Sequence, residues 1–209
     1  MSNLIIITSV INTHPSPLSY GQRSVYSAQE RYEQTLKTIE SCGKIPNGYK
    51  MLIETSDLDK QMEDHLKSKV DFYVNFNQNE KIKAIIDSPH KGRSEATQII
   101  NAIKLIDYEL YENIYKVSGR YWLSDNFNYD NYNNEKNVFR VDAYNNLTTA
   151  LYKINKKSYP TYINCLEYCC SNIGQIESQF WLFFKDNFIS YDKIGLNGNV
   201  SVNGQFIDF

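Results

Sequence analysis

Short apolar runs alternate with longer amphipathic segments along the first 123 residues of the chain. Residues 4–11, LIIITSVI, form a continuous run of mainly β-branched residues, which predicts a strand buried on both faces. Three later runs of similar character predict further strands at residues 49–56, 70–76 and 113–123. Four strands are therefore expected in the first half of the chain.

The segments between these runs carry apolar residues at helical spacing. Ile99 and Ile103 recur in this way, which predicts a helix over about residues 93–111. Two earlier helices are predicted over residues 28–42 and 57–69. Strands that alternate with helices are typical of a parallel sheet covered by helices. The pattern therefore predicts an α/β fold, in which helices flank a mostly parallel central sheet of about six strands.

The second half of the chain is less regular. Residues 138–144 and 147–154 predict an antiparallel pair of strands, and residues 159–187 predict helix with an interruption at Gly174. Residues 195–209 contain Asn-Gly twice, a pair that favours tight turns between short strands. No internal repeat and no clear second domain follow from the sequence.

Composition and charge narrow the classes of function. The 209 residues are 42% hydrophobic and 22% charged, which is typical of a soluble globular protein. The formal net charge of -2 argues against a general nucleic-acid-binding protein, which would carry an excess of basic residues. It leaves room for a local basic pocket. The four cysteines include no Cys-x-x-Cys pair, which favours reduced thiols and an intracellular protein.

No signal peptide and no membrane span are expected. The apolar run near the N-terminus is short and lacks a basic leader, and no apolar stretch reaches about 18 residues. We therefore expect a cytoplasmic protein.

Polar residues follow each predicted strand where its apolar run stops. In an open α/β sheet, ligands bind at the carboxyl ends of the strands. This rule selects four stretches as candidate ligand contacts. They are Thr8–Val10, Glu54–Ser56, Asn75–Asn77 and Ser118–Arg120. Because every strand must end in polar residues, this coincidence alone does not define a site.

The segment HKGRSEA, residues 90–96, lies directly before the long predicted helix. A helix N-terminus offers free backbone N–H groups and the positive end of the helix dipole, and both suit an anion. Lys91 and Arg93 add formal charge, and Gly92 lets the backbone approach a ligand closely. A phosphate group is the expected guest. The alternative is that Ser94 only caps the helix.

Two acidic positions could also carry chemistry. Asp57 and Asp59 could hold a divalent metal, but Ser56 with Asp59 three residues later matches a capping box, and capping is the favoured interpretation. Glu177 could act as a general base if burial raises its pKa, or it could be an ordinary acid in the first turn of a helix. The three histidines suggest no Ser/His/Asp triad, and no Gly-rich dinucleotide or P-loop motif is present.

The order of these pieces resembles the GT-A fold of nucleotide-sugar glycosyltransferases over most of the chain. The stretches that carry the resemblance are IIITSVI, RYEQTLKTIES, KGRSEA, KVSGRYWL and GQIESQFW. The chain is most similar to small enzymes of bacteria and large DNA viruses, among them chlorella-virus enzymes of capsid glycan synthesis. The resemblance implies one glycosyltransferase domain over residues 1–209, with a nucleotide-binding half, 1–123, and an acceptor-side half, 124–209.

The resemblance also implies a donor site at the strand ends and at the start of the long helix. The residues that it assigns to the base, ribose and diphosphate are Thr8, Ser9, Val10, Glu54, Lys91, Arg93 and Ser94. The donor would be a nucleotide sugar, most simply a UDP-sugar, and the acceptor a hydroxyl group of a glycan or glycoprotein. Glu177 would be the acid beside the acceptor.

One strand end departs from the GT-A pattern. Members of this fold normally carry Asp-x-Asp there, and its carboxylates hold Mn²⁺ or Mg²⁺ against the diphosphate. This chain has Ser118, Gly119 and Arg120 instead. Two alternatives stay open. Arg120 could neutralise phosphate charge directly because its guanidinium fits phosphate oxygens, or Asp125 could supply a metal ligand.

The expected function is glycosyl transfer from a nucleotide sugar, and two other functions compete with it. A nucleotidyltransferase that makes nucleotide sugars shares the α/β layout, but it would need a Gly-rich signature after the first strand, which this sequence lacks. A non-catalytic sugar- or nucleotide-binding module is motivated by the missing Asp-x-Asp.

Overall fold

A computed structural model describes residues 2–19 and 21–209, so Met1 and Tyr20 of the predicted domain lie outside the described residues. The strands are Asn3–Thr8 (β1), Gly48–Glu54 (β2), Phe72–Asn75 (β3), Asn113–Ser118 (β4), Tyr121–Leu123 (β5), Val138–Phe139 (β6), Leu151–Asn155 (β7), Ile189–Ser190 (β8), Leu196–Asn199 (β9) and Phe206–Asp208 (β10). The α-helices are Ala28–Ser41 (α1), Lys60–Lys67 (α2), Glu80–Ile86 (α3), Lys91–Ile103 (α4), Tyr159–Ser171 (α5) and Ile176–Phe184 (α6).

Seven strands form the central sheet, in the order β3-β2-β1-β4-β7-β6-β8. Strands β3, β2, β1 and β4 are mutually parallel, β7 runs antiparallel to both β4 and β6, and β6 pairs in parallel with β8. The α/β class and the mostly parallel sheet predicted from the sequence are therefore confirmed, with seven strands in place of about six. A second, antiparallel sheet has the order β10-β9-β5.

Helices cover both faces of the central sheet because its inner strands are apolar on both faces. In β1, Leu4 and Ile6 pack into one core with α3, α4, α5 and α6, whereas Ile5 and Ile7 pack into the other core with α1 and α2. All four side chains are fully buried. Among the described helices the longest has 14 residues, and none could cross the hydrocarbon core of a bilayer.

The predicted strand 113–123 is two strands that separate at Gly119 and Arg120. Strand β4 stays in the central sheet, and β5 turns away into the small sheet beside α1. Gly119 lies so close to β1 that its N–H donates to the Thr8 carbonyl at 2.8 Å, and a Cβ there would lie 2.9 Å from that oxygen. The bend therefore needs glycine at this position.

Other boundaries moved for local reasons. Helix α3 occupies a stretch predicted as loop; it is only seven residues long, and Asn79 caps it through a bond to the Ile82 N–H. Helix α4 ends at Ile103, eight residues before the predicted end.

Of the two Asn-Gly pairs in the tail, only Asn203-Gly204 makes the turn, with φ of 74° at Gly204. The other lies within β9, where Gly198 packs against Tyr121.

Candidate functional site

A cavity opens at the carboxyl edge of the central sheet, where β1 and β4 lie side by side. Strand order reverses here, since β2 follows on one side of β1 and β4 on the other, and ligands of open α/β sheets bind at such switch points. The cavity has a volume of about 270 Å³. Its lining residues are Thr8, Ser9, Val10, Thr13, His14, Leu18, Arg23, Arg31, Gln34, Ile86, Asp87, Lys91, Ser94, Glu95, Gln98, Ser118, Gly119, Arg120, Tyr121, Val200, Ser201 and Val202.

Side-chain hydrogen bonds from α1 fix the floor of the cavity. Thr35 donates to the Gly119 carbonyl at 3.1 Å, and its hydroxyl lies 3.0 Å from that of Ser9. Together with the backbone bond from Gly119 to Thr8, these contacts join the ends of β1 and β4 to one helix. The strand ends that form the cavity floor are therefore tied to one another.

The charges around the cavity are predominantly positive. The cavity lining contains four cations and two carboxylates. The cations are Arg23, Arg31, Lys91 and Arg120, and the carboxylates are Asp87 and Glu95. Both carboxylates have cationic partners outside the lining, since Lys83 lies 3.6 Å from Asp87 and Lys116 pairs with Glu95. The cavity is thus suited to an anionic ligand.

Arg31 is a buried cation held in place by its neighbours. Its Nε donates to the Val10 carbonyl at 2.7 Å and its Nη1 to Ser201 Oγ at 3.0 Å. Burial, and then the positive charge of Arg120, lower the pKa of Arg31 to about 10, while Glu54 opposes the shift. The guanidinium therefore stays charged at neutral pH.

Lys91 is the first residue of α4 and keeps an exposed surface at the cavity. Desolvation of the ammonium, and then the positive charge of Arg120, lower its pKa to about 8, although Glu95 and Glu177 act in the opposite direction. The Lys91 ammonium and the Arg120 guanidinium repel each other, which destabilises the free protein. A bound anion would relieve that repulsion.

Arg120 has no side-chain hydrogen-bond partner within the described residues. Its Nε is buried and unpaired, and its guanidinium carbon lies 5.1 Å from the centroid of the Tyr121 ring. Buried cationic N–H groups are normally hydrogen-bonded, and an unpaired one at a cavity wall is free to bind a ligand oxygen.

A buried ion pair between Lys116 and Glu95 lies at the wall of the cavity. Lys116 is 0% exposed; its Nζ donates to Glu95, to Ser118 Oγ at 2.7 Å and to the Thr149 carbonyl at 2.8 Å. Burial lowers the pKa of Lys116. Burial would raise the pKa of Glu95, but Lys116 and then Lys91 outweigh it, so that pKa is lowered. Glu95 is thus held as a carboxylate.

The structure brings eight of the predicted site residues together at this cavity. Those that line it are Thr8, Ser9, Val10, Lys91, Ser94, Ser118, Gly119 and Arg120. Ser94 does not cap α4, because His90 is the N-cap and the Ser94 hydroxyl, which has a single proton, lies within hydrogen-bonding distance of the Ile85 and His90 carbonyls, at 2.9 and 3.0 Å.

The strand-end residues 55–56 and 75–77 do not line the cavity. Four residues that the resemblance assigns to the site do not line it either, and each has another partner. Glu54 accepts from the Ile11 N–H at 3.1 Å, and Arg93 Nε donates to the Cys170 carbonyl at 2.9 Å. The two acids of the second half are occupied as follows. Asp125 is exposed and pairs with Lys44 at 2.8 Å, and Glu177 accepts from Thr149 Oγ1 at 3.1 Å.

The residues at the end of β4 do not fit a divalent metal. Ser118, Gly119 and Arg120 offer no carboxylate there, and the guanidinium would repel a cation. Within residues 2–19 and 21–209, no group of three or more histidine, cysteine, aspartate or glutamate side chains could hold a metal ion. At the other acidic pair, Asp59 is the N-cap of α2 and accepts from the Met62 N–H at 2.8 Å, which confirms a capping role for this segment. The predicted capping box was wrong, because the Ser56 hydroxyl donates to Glu54 at 2.7 Å and does not cap the helix.

The prediction from sequence included Lys91 and Ser94 of α4 but missed Glu95 and Gln98 on the same helix. On α4 the lining residues Lys91, Ser94, Glu95 and Gln98 follow the spacing i, i+3, i+4, i+7, which marks one face of a helix. This polar face was a detectable signal, since it lies opposite the apolar face of the same helix. The contributions of Arg31, Gln34 and Arg23 had no comparable signal.

Comparisons with known proteins agree with the fold. No family model matches the chain, and no curated protein matches its sequence. A provisionally assigned nucleotide-diphospho-sugar transferase from Desulfovibrio desulfuricans G20 matches 91% of this chain and 80% of its own, with 8% identity and a TM-score of 0.55. A structure named only as a transferase has 10% identity, covers 94% and 92%, and has a TM-score of 0.50.

A glycosyltransferase involved in the glycosylation of the major capsid of PBCV-1 is also similar, with 10% identity, 92% and 82% coverage and a TM-score of 0.47. At these identities the similarity concerns the fold alone. The chain has a GT-A-like α/β fold, as the resemblance in its sequence predicted.

Proposed function

We propose that the protein is a glycosyltransferase that moves a sugar from a nucleotide-sugar donor to an acceptor hydroxyl. The observation that carries the proposal is the electropositive cavity at the sheet switch point, with the unpaired Arg120 at the end of β4. In this fold the same edge binds nucleotides, and its cations meet the need of a diphosphate.

Two groups of cavity residues bind different parts of the donor. Thr8, Ser9 and Val10 contact the base and ribose, and Lys91 and Arg120 contact the diphosphate. During transfer the bond between the anomeric carbon and the phosphate oxygen breaks, a bond to the acceptor oxygen forms, and the nucleoside diphosphate leaves. Fixed cations stabilise the negative charge that develops on that leaving group. Arg120 does so without a metal, because its fork fits phosphate oxygens.

The acceptor proton needs a base, and Glu177 is the proposed one. It is partly exposed, accepts a hydrogen bond from Thr149 and is close enough to Lys91 to raise the pKa of that lysine. A UDP-sugar as donor and a glycan or glycoprotein as acceptor extend the proposal through the resemblance in sequence.

Nucleotide binding is the first test. UDP, GDP, CMP and TDP are compared by thermal shift, each with Mn²⁺ and with EDTA. A nucleotide at about 100 times its dissociation constant stabilises a protein by about 2.7 kcal/mol, which raises the Tm of a chain of this size by about 5–10 °C. We expect UDP to give the largest shift, and EDTA to leave it unchanged. A flat response to all four nucleotides contradicts the proposal.

Turnover tests the assignment of the base. Glu177→Gln should leave nucleotide binding intact and slow sugar transfer by about 100-fold or more, the usual contribution of a general base. Unchanged turnover would remove Glu177 from the mechanism.

The four cations also suit a triphosphate, which is the observation that favours nucleotidyl transfer as a second function. Release of pyrophosphate from a nucleoside triphosphate and a sugar phosphate would establish that activity. Release of a nucleoside diphosphate from a nucleotide sugar would establish glycosyl transfer.

A further inference from the structure

Two glutamine side chains reach the cavity from opposite faces of the central sheet. Gln34 belongs to α1 and Gln98 to α4, and both line the cavity. In each, the Oε1 atom is buried and has no hydrogen-bond partner among the described residues. Gln98 as a whole is only 5% exposed. Neither amide therefore has a hydrogen-bond partner within residues 2–19 and 21–209.

Unpaired atoms of this kind are concentrated at the cavity. Eight buried side-chain polar atoms in the described part of the chain lack a partner, and three of them belong to the lining residues Gln34, Gln98 and Arg120. An unpaired buried polar group costs about 1–3 kcal/mol, so native proteins retain few of them without a reason. Concentration of three at one cavity points to a ligand that completes their hydrogen bonds.

The chemistry of the three groups describes that ligand. An amide offers an acceptor oxygen and two donor N–H groups, and a hydroxyl group can pair with either end. A guanidinium N–H instead needs an acceptor, best an anionic oxygen. A ligand that combines hydroxyl groups with phosphate oxygens would satisfy all three groups, and a nucleotide sugar has both.

We infer that Gln34 and Gln98 bind hydroxyl groups of the donor and set its specificity, while Arg120 binds its phosphate. The inference rests on the proposed function and deepens it. The hydroxyl groups can belong to the ribose or to the transferred sugar, which share the same chemistry, and binding experiments separate the two.

Glutamine-to-methionine variants test the inference because methionine keeps the length of the side chain and removes the amide. Gln34→Met and Gln98→Met should each weaken binding of the nucleotide sugar by about 5- to 100-fold, the effect of leaving a ligand hydroxyl unpaired. The free protein should be equally stable or more stable, since an unsatisfied buried atom is gone. A residue needed only for folding would give the opposite change in stability.

Gln179 provides the matched control. Its Oε1 is also buried and unpaired, but the residue does not line the cavity. Gln179→Met should therefore leave binding unchanged. Isothermal titration with UDP and with a UDP-sugar measures all three variants beside the wild type.

Each outcome has a defined meaning. Weaker binding of the UDP-sugar alone assigns an amide to the transferred sugar, and equal weakening with UDP assigns it to the ribose; both support the inference. Unchanged affinity in both cavity variants, with a wild type that binds normally, overturns this inference alone. A wild type that binds no nucleotide or nucleotide sugar overturns the proposed function, and the inference with it.

Discussion

Two lysines are fully buried on neighbouring strands, and they lie on opposite faces of the central sheet. Lys116 of β4 faces the core that contains α4, where it pairs with Glu95. Lys153 of β7 is opposite Tyr115 in register and faces the other core. Among the described residues, its Nζ donates only to uncharged oxygens: the backbone carbonyls of Tyr132 at 2.7 Å and Asn134 at 2.6 Å, and Asn134 Oδ1 at 3.1 Å.

The two lysines differ in role: the charge of Lys116 acts on the candidate site, whereas Lys153 stabilises the packing of the fold. Lys116 forms an ion pair with a residue of the cavity wall and donates to Ser118 at the strand end, so its charge acts on the candidate site. Lys153 cross-links the segment around Tyr132 to the sheet, and neither Lys153 nor its hydrogen-bond partners line the cavity. Variants on each side should therefore differ in what they change.

The largest effect on stability is expected for Glu95→Gln. This change leaves the Lys116 ammonium buried without its counter-charge, which typically costs about 3–5 kcal/mol. Urea unfolding measures the loss. The control is Glu167→Gln, because Glu167 pairs with Lys104 at 3.4 Å in an exposed position, where an ion pair contributes about 0–1 kcal/mol. Equal losses of unfolding free energy in both variants would show that the buried ion pair contributes no more to stability than the exposed one.

On the other face, Lys153→Met should change how stability depends on pH. Burial lowers the pKa of Lys153 from 10.5 to about 8. Between these values the unfolded chain holds the proton and the folded chain does not, so stability rises with pH across that window. A shift of this size corresponds to about 3 kcal/mol.

The measurement is the free energy of unfolding of both proteins between pH 7 and pH 9.5. The wild type should gain stability relative to Lys153→Met as pH rises. Comparison of the two proteins cancels the titration of all other groups. Parallel curves would mean that Lys153 holds its proton with ordinary affinity. Nucleotide binding by the variant should remain normal, because Lys153 lies away from the cavity.

Arg120→Ala sharpens the comparison at the cavity itself. Loss of a charged hydrogen bond to phosphate costs about 1.5–3 kcal/mol, which is about 10- to 150-fold in the dissociation constant of UDP. Arg93→Ala is the control: both arginines neighbour the predicted phosphate site in the sequence analysis, but Arg93 lies outside the cavity lining. Equal weakening in both variants would contradict a specific role for Arg120.

Sequence patterns predicted the strands and helices well where a single element determines them. The buried run of β1 and the interruption at Gly174 between α5 and α6 are local properties, and both were predictable. The break at Gly119 was not, because it depends on a hydrogen bond to Thr8, which is distant in the sequence.

The site residues also fall into those that local sequence could predict and those that depend on tertiary packing. Strand ends could be selected by one rule, because parallel strands bring their carboxyl ends to one edge. Gln34 and Arg31 could not, since polar residues on a helix normally face solvent and only tertiary packing turns these two toward the cavity. Arg93 illustrates the converse, because it is next to the predicted phosphate site in the sequence but donates to the Cys170 carbonyl of another helix and does not line the cavity.

The smallest expected effect is the pH dependence of nucleotide binding through Lys91. Its pKa of about 8 means that it is mostly charged at pH 7 and mostly neutral at pH 9. If its ammonium contacts phosphate, the affinity for UDP should fall as pH rises through 8, by about 10-fold or less. Titration of wild type and Lys91→Arg from pH 7 to pH 9 measures this. The arginine keeps its charge throughout, so the variant should lose the part of the pH dependence that belongs to Lys91. Identical profiles would assign the phosphate contact to Arg120 without Lys91.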